Sequence, residues 1–234
     1  LPKSRPCRVL EVGIGTGTCL VELIKSGYEI VGITPDEAQI IYAKSIHGEN
    51  LQIVLKRLEE YRDPKKFDII IFQESAQYID TDVLFQKVNR LLNYDGEVLI
   101  LDEMTFRRET DQLGNLPSVE GYLMLSKMFR YELLEHSDLT KKALPTNSYI
   151  VDKLLKYREQ IIQDIGLSSD QIDELIAAGK NYEQKYKDGQ YGYFFLHFRK
   201  PKQKSIWRQL IEKPLCYGRL FCYRLRHRST WRQL

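Results

Sequence analysis

The sequence contains few residues of the types that bind metals or form cross-links. Its 234 residues include four cysteines and four histidines, and both types are scattered along the chain. Their spacing matches neither a zinc motif nor a disulfide framework, so we expect no metal site and a reducing, cytoplasmic setting. The cysteines are Cys7, Cys19, Cys216 and Cys222.

Long apolar runs are also absent. No stretch of about 18 consecutive apolar residues occurs, which argues against a transmembrane helix. The chain is 43% hydrophobic and 29% charged. With this length it can bury a large core, and the composition predicts a single globular α/β domain.

A glycine-rich turn follows the first apolar segment. Residues 8–12 read as a strand, Gly13, Gly15 and Gly17 follow in alternation, and apolar residues at helical spacing come next. A turn without Cβ atoms lets a ligand approach the backbone closely. A dinucleotide fingerprint would place its third glycine at Thr18, so the spacing points to another ligand.

The string from Glu11 to Gly17 resembles motif I of the class I S-adenosylmethionine (SAM) dependent methyltransferases. The resemblance covers roughly residues 7–200. It implies SAM as cofactor, with Glu11 facing its methionine end and Gly13, Gly15 and Gly17 lining its site. It also implies a Rossmann-like α/β fold, with a seven-stranded, mostly parallel sheet, helices on both faces, an antiparallel last strand and a helical lid inserted after strands 5 and 6.

Residues 28–33 read as a second buried strand and residues 36–46 as the next helix, with Ala38, Ile41, Tyr42 and Ile46 on its apolar side. Most of the family has an acid at the position of Thr34 to bind the ribose. A subgroup that includes cyclopropane fatty acid synthases, tocopherol methyltransferases and natural-product methyltransferases has a Thr-x-Ser-x-x-Gln motif here. Thr34 and Gln39 match it and are expected to bind the ribose hydroxyls. Thr34 also reads as the cap of this helix.

The third strand is predicted at residues 51–55. The family often follows it with an Asp that binds adenine, but this chain has Arg57 there, so the backbone near Leu58 is the expected contact and Glu59 a weaker candidate. The fourth strand, residues 67–73, ends at Gln73, an expected cofactor contact at the ligand-facing edge of the sheet.

Three residues are candidates for catalysis. Tyr78 stands where the subgroup often has a histidine that contacts substrate, although its usual pKa near 10 makes it a poor base. Glu103 follows Asp102 at the end of the fifth strand, where paired carboxylates could orient an amine or hydroxyl nucleophile or act as base. His136 falls near the end of the sixth strand. Packing, capping or an exposed strand end remain alternative roles for all three.

The region after the fifth strand is long enough for a lid, which we place at about residues 105–130 and 141–189. Apolar residues at helical spacing predict helices over residues 117–129, over residues 147–165 from Asn147 to Gly166, and after Ser168 or Ser169. Residues 191–198 read as the last strand. The predicted methyltransferase domain is therefore residues 1–200.

Residues 201–234 form a basic, aromatic tail. From Lys200 onward there are ten Lys or Arg residues and one acid, a net charge of +9, whereas residues 1–199 hold 25 basic and 31 acidic residues, a net of −6. Both tryptophans lie here, in the repeat Ser-x-Trp-Arg-Gln-Leu. This pattern favours docking to a protein or an anionic membrane surface over nucleic acid.

The resemblance implies methyl transfer from SAM to O, N or C of a small natural-product or lipid-like acceptor. Two alternatives remain: an RNA or protein methyltransferase that docks through the tail, and a non-catalytic scaffold that binds SAM. The sequence predicts neither the acceptor nor the oligomeric state.

Overall fold

The computed structural model describes residues 7–106 and 116–202. The predictions for the basic tail beyond residue 202 lie outside the described residues. The strands are β1 (Arg8–Val12), β2 (Glu29–Thr34), β3 (Ile53–Leu55), β4 (Phe67–Gln73), β5 (Leu92–Thr105), β6 (Glu132–Asp138) and β7 (Tyr191–Arg199). The helices are α1 (Thr18–Lys25), α2 (Glu37–His47), α3 (Thr81–Leu91), α4 (Val119–Met128), α5 (Thr140–Lys156), α6 (Arg158–Ile165) and α7 (Ser169–Lys187).

The strands form one sheet in the order β3-β2-β1-β4-β5-β7-β6. Strands β1 to β5 pair in parallel, and β7 runs antiparallel between β5 and β6. The predicted seven-stranded, mostly parallel sheet with an antiparallel last strand is confirmed. The chain moves from β1 to β2 and β3 on one side and then to β4 on the other, so a crevice opens at the carboxyl ends of β1 and β4.

Apolar side chains cover both faces of the sheet. Neighbouring residues of a strand point to opposite faces, and Val9 packs in one core cluster whereas Leu10 packs in the other. The smaller cluster includes Leu20 of α1 and Ala43 of α2, and the larger one includes Phe85 of α3 and Tyr122 of α4. Helices therefore lie on both faces, as the sequence predicts.

The predicted apolar side of α2 is wrong. Ile41, Tyr42 and Ile46 are all at least half exposed, whereas Ala43 is fully buried. The small side chain of Ala43 lets α2 approach the glycine turn so closely that a Cβ built on Gly17 would lie 2.9 Å from the Cβ of Ala43. Backbone proximity, rather than a broad apolar stripe, fixes this helix on the sheet.

The helices after the fifth strand differ in part from the prediction. Tyr122 of α4 is buried in the main core. Residues 147–165, expected to form one helix, belong to two helices. The first, α5, starts earlier than expected at Thr140, continues through Pro145 and ends before Tyr157, and α6 follows it. Pro145 lacks an N–H, so it leaves the carbonyl of exposed Lys141 without a helical partner. Gly166 ends α6 in the left-handed conformation, as expected, and Ser168 caps α7.

Candidate functional site

The glycine turn joins the ends of three neighbouring strands. The N–H of Gly13 donates to the carbonyl of Ile33 at 2.8 Å, and the Ser75 hydroxyl donates to the carbonyl of Val12. A Cβ on Gly13 would lie 2.5 Å from the Cβ of Ser75. Gly13 therefore permits close packing of the turn against the loop after β4, which also contributes to the site.

A cavity of about 760 Å³ opens at the carboxyl ends of β1, β2 and β4. Its volume suits a small-molecule ligand. Gly15 has a φ of +51° and no atom within 4 Å of a Cβ built on it, so its bare backbone faces open space. Seven of the eight predicted cofactor contacts line the cavity: Glu11, Gly13, Gly15, Thr34, Gln39, Leu58 and Gln73. The eighth, Gly17, is buried against α2 and does not line it.

Glu11 is a buried acid with an unpaired oxygen. Only 2% of the residue is exposed, and among the described residues its Oε2 has no hydrogen-bond partner. Burial raises the pKa of its carboxyl to about 7, and a hydrogen bond with the Cys19 thiol partly opposes this shift. Cys19 also lines the cavity. A buried oxygen without a partner is costly, so a ligand with a donor group fits here.

Thr34 and Gln39 form a polar pair. The Thr34 hydroxyl donates to Oε1 of Gln39 at 2.8 Å, and it accepts from the N–H of Asp36 at 3.2 Å. With its oxygen engaged, Gln39 keeps its amide N–H groups for a ligand. The expected role of Thr34 as helix cap is wrong, because Asp36 is the N-cap of α2 and accepts from the N–H of Ala38.

The loop after β3 forms the wall next to Leu58. Its conformation depends on Lys87 of α3, whose buried ammonium donates to the carbonyls of Glu59 and Tyr61, both at 2.8 Å. Arg57 and Glu59 also line the cavity. Sequence reasoning missed Lys87, because its pattern is that of an ordinary helix residue and its partners lie 26 and 28 residues away.

The loop after β4 is held by Asp102. This fully buried carboxylate accepts from the N–H of Gln77 at 3.1 Å and of Glu103 at 2.8 Å. Burial raises its pKa to about 6, although backbone hydrogen bonds oppose the shift. The loop carries Tyr78, which lines the cavity with 80% of its surface exposed. Asp102 thus acts on the cavity wall without lining it.

The other two predicted catalytic residues lie away from the cavity lining. Glu103 accepts hydrogen bonds from the hydroxyls of Tyr182 and Tyr186 on α7. His136 is exposed on β6, at the edge of the sheet, with its ring 5.9 Å from that of Phe194. The structure therefore brings Tyr78 to the cavity and places neither Glu103 nor His136 in its lining.

Comparisons with known proteins agree with this architecture. Residues 9–96 match the model of the methyltransferase domain family. Malonyl-[acyl-carrier protein] O-methyltransferase 1 of Ilyobacter polytropus is 28% identical over 141 residues, which are 57% of this chain and 51% of that protein. An uncharacterized methyltransferase of Alkaliphilus oremlandii is 26% identical over 157 residues, 63% of this chain and 71% of that one. The chain thus spans about half the length of the first of these relatives.

Solved structures share the fold. The cyclopropane synthase MmaA2 of Mycobacterium tuberculosis superimposes with a TM-score of 0.73 at 15% identity, over 83% of this chain and 78% of that one. An O-methyltransferase of a Brevibacillus brevis polyketide synthase, in complex with S-adenosyl-L-homocysteine, gives 0.63 at 23% identity, over 85% and 68%.

The strand order and the glycine-lined crevice define a protein of the class I methyltransferase fold. The match of residues 9–96 to the methyltransferase domain model agrees with this fold and with the resemblance found in the sequence. Within residues 7–106 and 116–202, no helix combines the length and apolarity needed to span a membrane.

Proposed function

We propose that the chain binds SAM in the cavity at the carboxyl ends of β1, β2 and β4 and transfers its methyl group to a small-molecule acceptor. The observation that carries the proposal is the buried, unpaired Oε2 of Glu11 beside the open backbone of Gly15. A cofactor with an ammonium group would satisfy this oxygen, and charge-assisted hydrogen bonds of this kind are strong.

The remaining walls suit the other parts of the cofactor. Gln39, oriented by Thr34, offers amide N–H groups to the ribose hydroxyls. Leu58 and the neighbouring backbone, held by Lys87, would contact the adenine. Gln73 lies at the end of β4, on the side of the cavity that also carries Tyr78.

The sulfonium of SAM, when bound, supplies a methyl group that is already electrophilic. The protein has to align the acceptor, exclude water and accept a proton where the acceptor must lose one. Tyr78 and Glu74 line the cavity after β4 and are candidates for this task. A lid role for residues 105–130 and 141–189, and any catalytic role for Glu103 or His136, stay predictions.

Replacing Gln39 by leucine tests the proposed site. The variant keeps a similar volume but loses the amide donors, and we expect SAM affinity to fall about tenfold, the loss of one good hydrogen bond. Isothermal titration measures this directly. Gln52→Leu, at an exposed position outside the cavity lining, is the control. Equal affinity in Gln39→Leu and the wild type would contradict the assignment.

We also propose that residues 1–200 form the catalytic domain and that the tail from residue 201 docks to an anionic membrane or protein surface, which would make the protein peripheral. The ten basic residues and single acid from Lys200 onward, a net charge of +9, support this. The full chain should sediment with vesicles that contain phosphatidylserine, less so as salt rises, and not with phosphatidylcholine alone. Binding only to RNA would argue against it.

A further inference from the structure

A group of carboxylates and tyrosines, here called the acidic tyrosine cluster, lies at the carboxyl ends of β4 and β5. It comprises Glu74, Glu103, Tyr182, Tyr186 and Tyr193. The Tyr193 hydroxyl donates to Oε1 of Glu74 at 2.8 Å, and Tyr193 is paired with Glu103 across β5 and β7. Tyr182 and Tyr186 donate to the two oxygens of Glu103.

The cluster borders the cofactor cavity. Glu74 lines it, next to the exposed ring of Tyr78. Glu74 has a φ of +54°, a left-handed conformation that non-glycine residues seldom adopt and that is often found at functional sites. Burial and then the carboxylates of Glu74, Asp102 and Glu103 raise the pKa of Tyr193, so its hydroxyl stays a donor. The carboxylates of Glu74, Asp102 and Glu103 therefore all lie close enough to the Tyr193 hydroxyl to raise its pKa.

Lys185 of α7 lies near this cluster, because its ammonium donates to the Tyr191 hydroxyl at 3.2 Å and the Tyr191 ring packs against that of Tyr182, but it forms no ion pair with the carboxylates. None of the ion pairs within the described part of the chain includes Glu74 or Glu103. The basic residues of the cavity lining, Lys56 and Arg57, follow β3, and β2 and β1 separate β3 from β4. Among the described residues that line the cavity, Glu74 and Tyr78 thus lie on the side expected to face the acceptor, and Lys56 and Arg57 lie on the opposite side.

A buried carboxylate elsewhere in the same cavity also calls for a ligand with donor groups. Oε2 of Glu11, a residue with only 2% of its surface exposed, has no partner among the described residues, and Glu11 lines the same cavity. Two separate regions of the wall therefore present carboxylate oxygens to a ligand. One suits the ammonium of the cofactor. The second, at Glu74, calls for another donor-bearing or cationic group.

We propose, building on the proposed SAM-dependent transfer, that the acceptor is an amine and that Glu74 binds it as an ammonium ion, with Tyr78 contacting it through its ring face. Carboxylates hydrogen-bond ammonium groups strongly, and aromatic rings attract cations. A carboxylate or phosphate acceptor would instead meet the like charges of Glu74 and Glu103, which form no ion pair with a described residue. The acidic tyrosine cluster is therefore a determinant of acceptor class.

Glu74 can also accept the proton that the ammonium must lose before its nitrogen can be methylated. The bound ammonium gives one proton to Glu74, which passes it to solvent through its exposed side. The freed nitrogen lone pair forms a bond to the methyl carbon of the sulfonium donor, the carbon–sulfur bond breaks, and its electron pair stays on sulfur. The products are an N-methylated ammonium and a neutral thioether, so charge and atoms balance.

The test uses two matched triplets: ethanolamine, ethylene glycol and glycolate, and phenethylamine, 2-phenylethanol and phenylacetate. Each compound is titrated calorimetrically into the full chain saturated with S-adenosylhomocysteine. We expect the amine of at least one triplet to bind about tenfold or more tightly than its alcohol and carboxylate. In Glu74→Gln this advantage should fall about tenfold, with unchanged affinity for S-adenosylhomocysteine. Glu120→Gln, at an exposed site on α4, should keep it.

The outcomes separate the two proposals. Failure of S-adenosylhomocysteine itself to bind would overturn the proposed function. Normal binding of that compound, combined with no amine binding, with tighter binding of an alcohol or carboxylate, or with an amine preference that survives in Glu74→Gln, would overturn the acceptor class alone. Transfer of a labelled methyl group to nitrogen in the amine members would support both.

Discussion

Gly15→Arg is expected to abolish SAM binding while the protein remains folded. A side chain at this position extends into the cavity, because nothing lies within 4 Å of a Cβ on Gly15. The φ of +51° adds a backbone cost of roughly 1–2 kcal/mol for a residue with a Cβ. The variant should therefore lose some stability and all measurable affinity in isothermal titration.

Gly27→Arg is the matched control. Gly27 has a φ of +85°, has no atom within 4 Å of a Cβ and does not line the cavity. It imposes the same change in charge and a similar backbone cost, so its melting temperature should drop by a similar amount while it binds SAM normally. Normal SAM binding by Gly15→Arg would show that the cofactor lies elsewhere.

Glu11→Gln is expected to stabilise the free protein and weaken cofactor binding. Burial raises the pKa of Glu11 from its ordinary value to about 7, so the folded state holds the proton more tightly than the unfolded chain. The wild type is therefore most stable below the unfolded pKa, loses stability as pH rises toward 7, and bears the full cost above it. That cost is about 3 kcal/mol, and glutamine removes it.

Thermal unfolding at pH 8 and pH 4.5 checks this prediction. At pH 8 the variant should melt several degrees higher than the wild type, and at pH 4.5 the two should be similar. Glu49→Gln, at an exposed carboxylate, should show no such difference. A variant that is less stable than the wild type at pH 8 would mean that Glu11 is already compensated in the free protein.

The binding side of the same prediction has the opposite sign. An ammonium ligand favours ionised Glu11, so wild-type affinity for SAM should rise as pH increases from 6 toward 8, with release of a proton on binding at the lower pH. Glu11→Gln loses a charge-assisted hydrogen bond and should bind roughly ten- to a hundredfold more weakly. Its affinity should not follow this pH dependence. A wild-type affinity independent of pH in this range would argue against an ammonium at Glu11.

Features encoded locally could be predicted from the sequence. The strand before Gly13, the turn, and the alternation of Val9 and Leu10 all depend on a few neighbouring residues, and so does the Thr34–Gln39 pair, which is five residues apart. The parallel order of the strands then follows from short right-handed connections. The fold and many of the residues that line the cavity could therefore be predicted from the sequence.

Features that depend on contacts between distant parts of the chain could not be predicted from the sequence. The tyrosines that contact Glu103 lie 79 and 83 residues further along the chain, and no local pattern distinguishes Tyr182 and Tyr186 from core residues. The apolar face of α2 was misassigned because close backbone approach at Ala43 outweighs the larger side chains. Helix α5 passes through Pro145, which local rules treat as a helix boundary.

A crystal structure of the full chain with S-adenosylhomocysteine tests the central claim most directly. The account predicts the amino group of the ligand within hydrogen-bond distance of Glu11, its ribose beside Gln39 and its sulfur directed toward the side of Glu74 and Tyr78. A ligand bound outside this crevice, or bound within it with Glu11 still unpaired, would contradict the account.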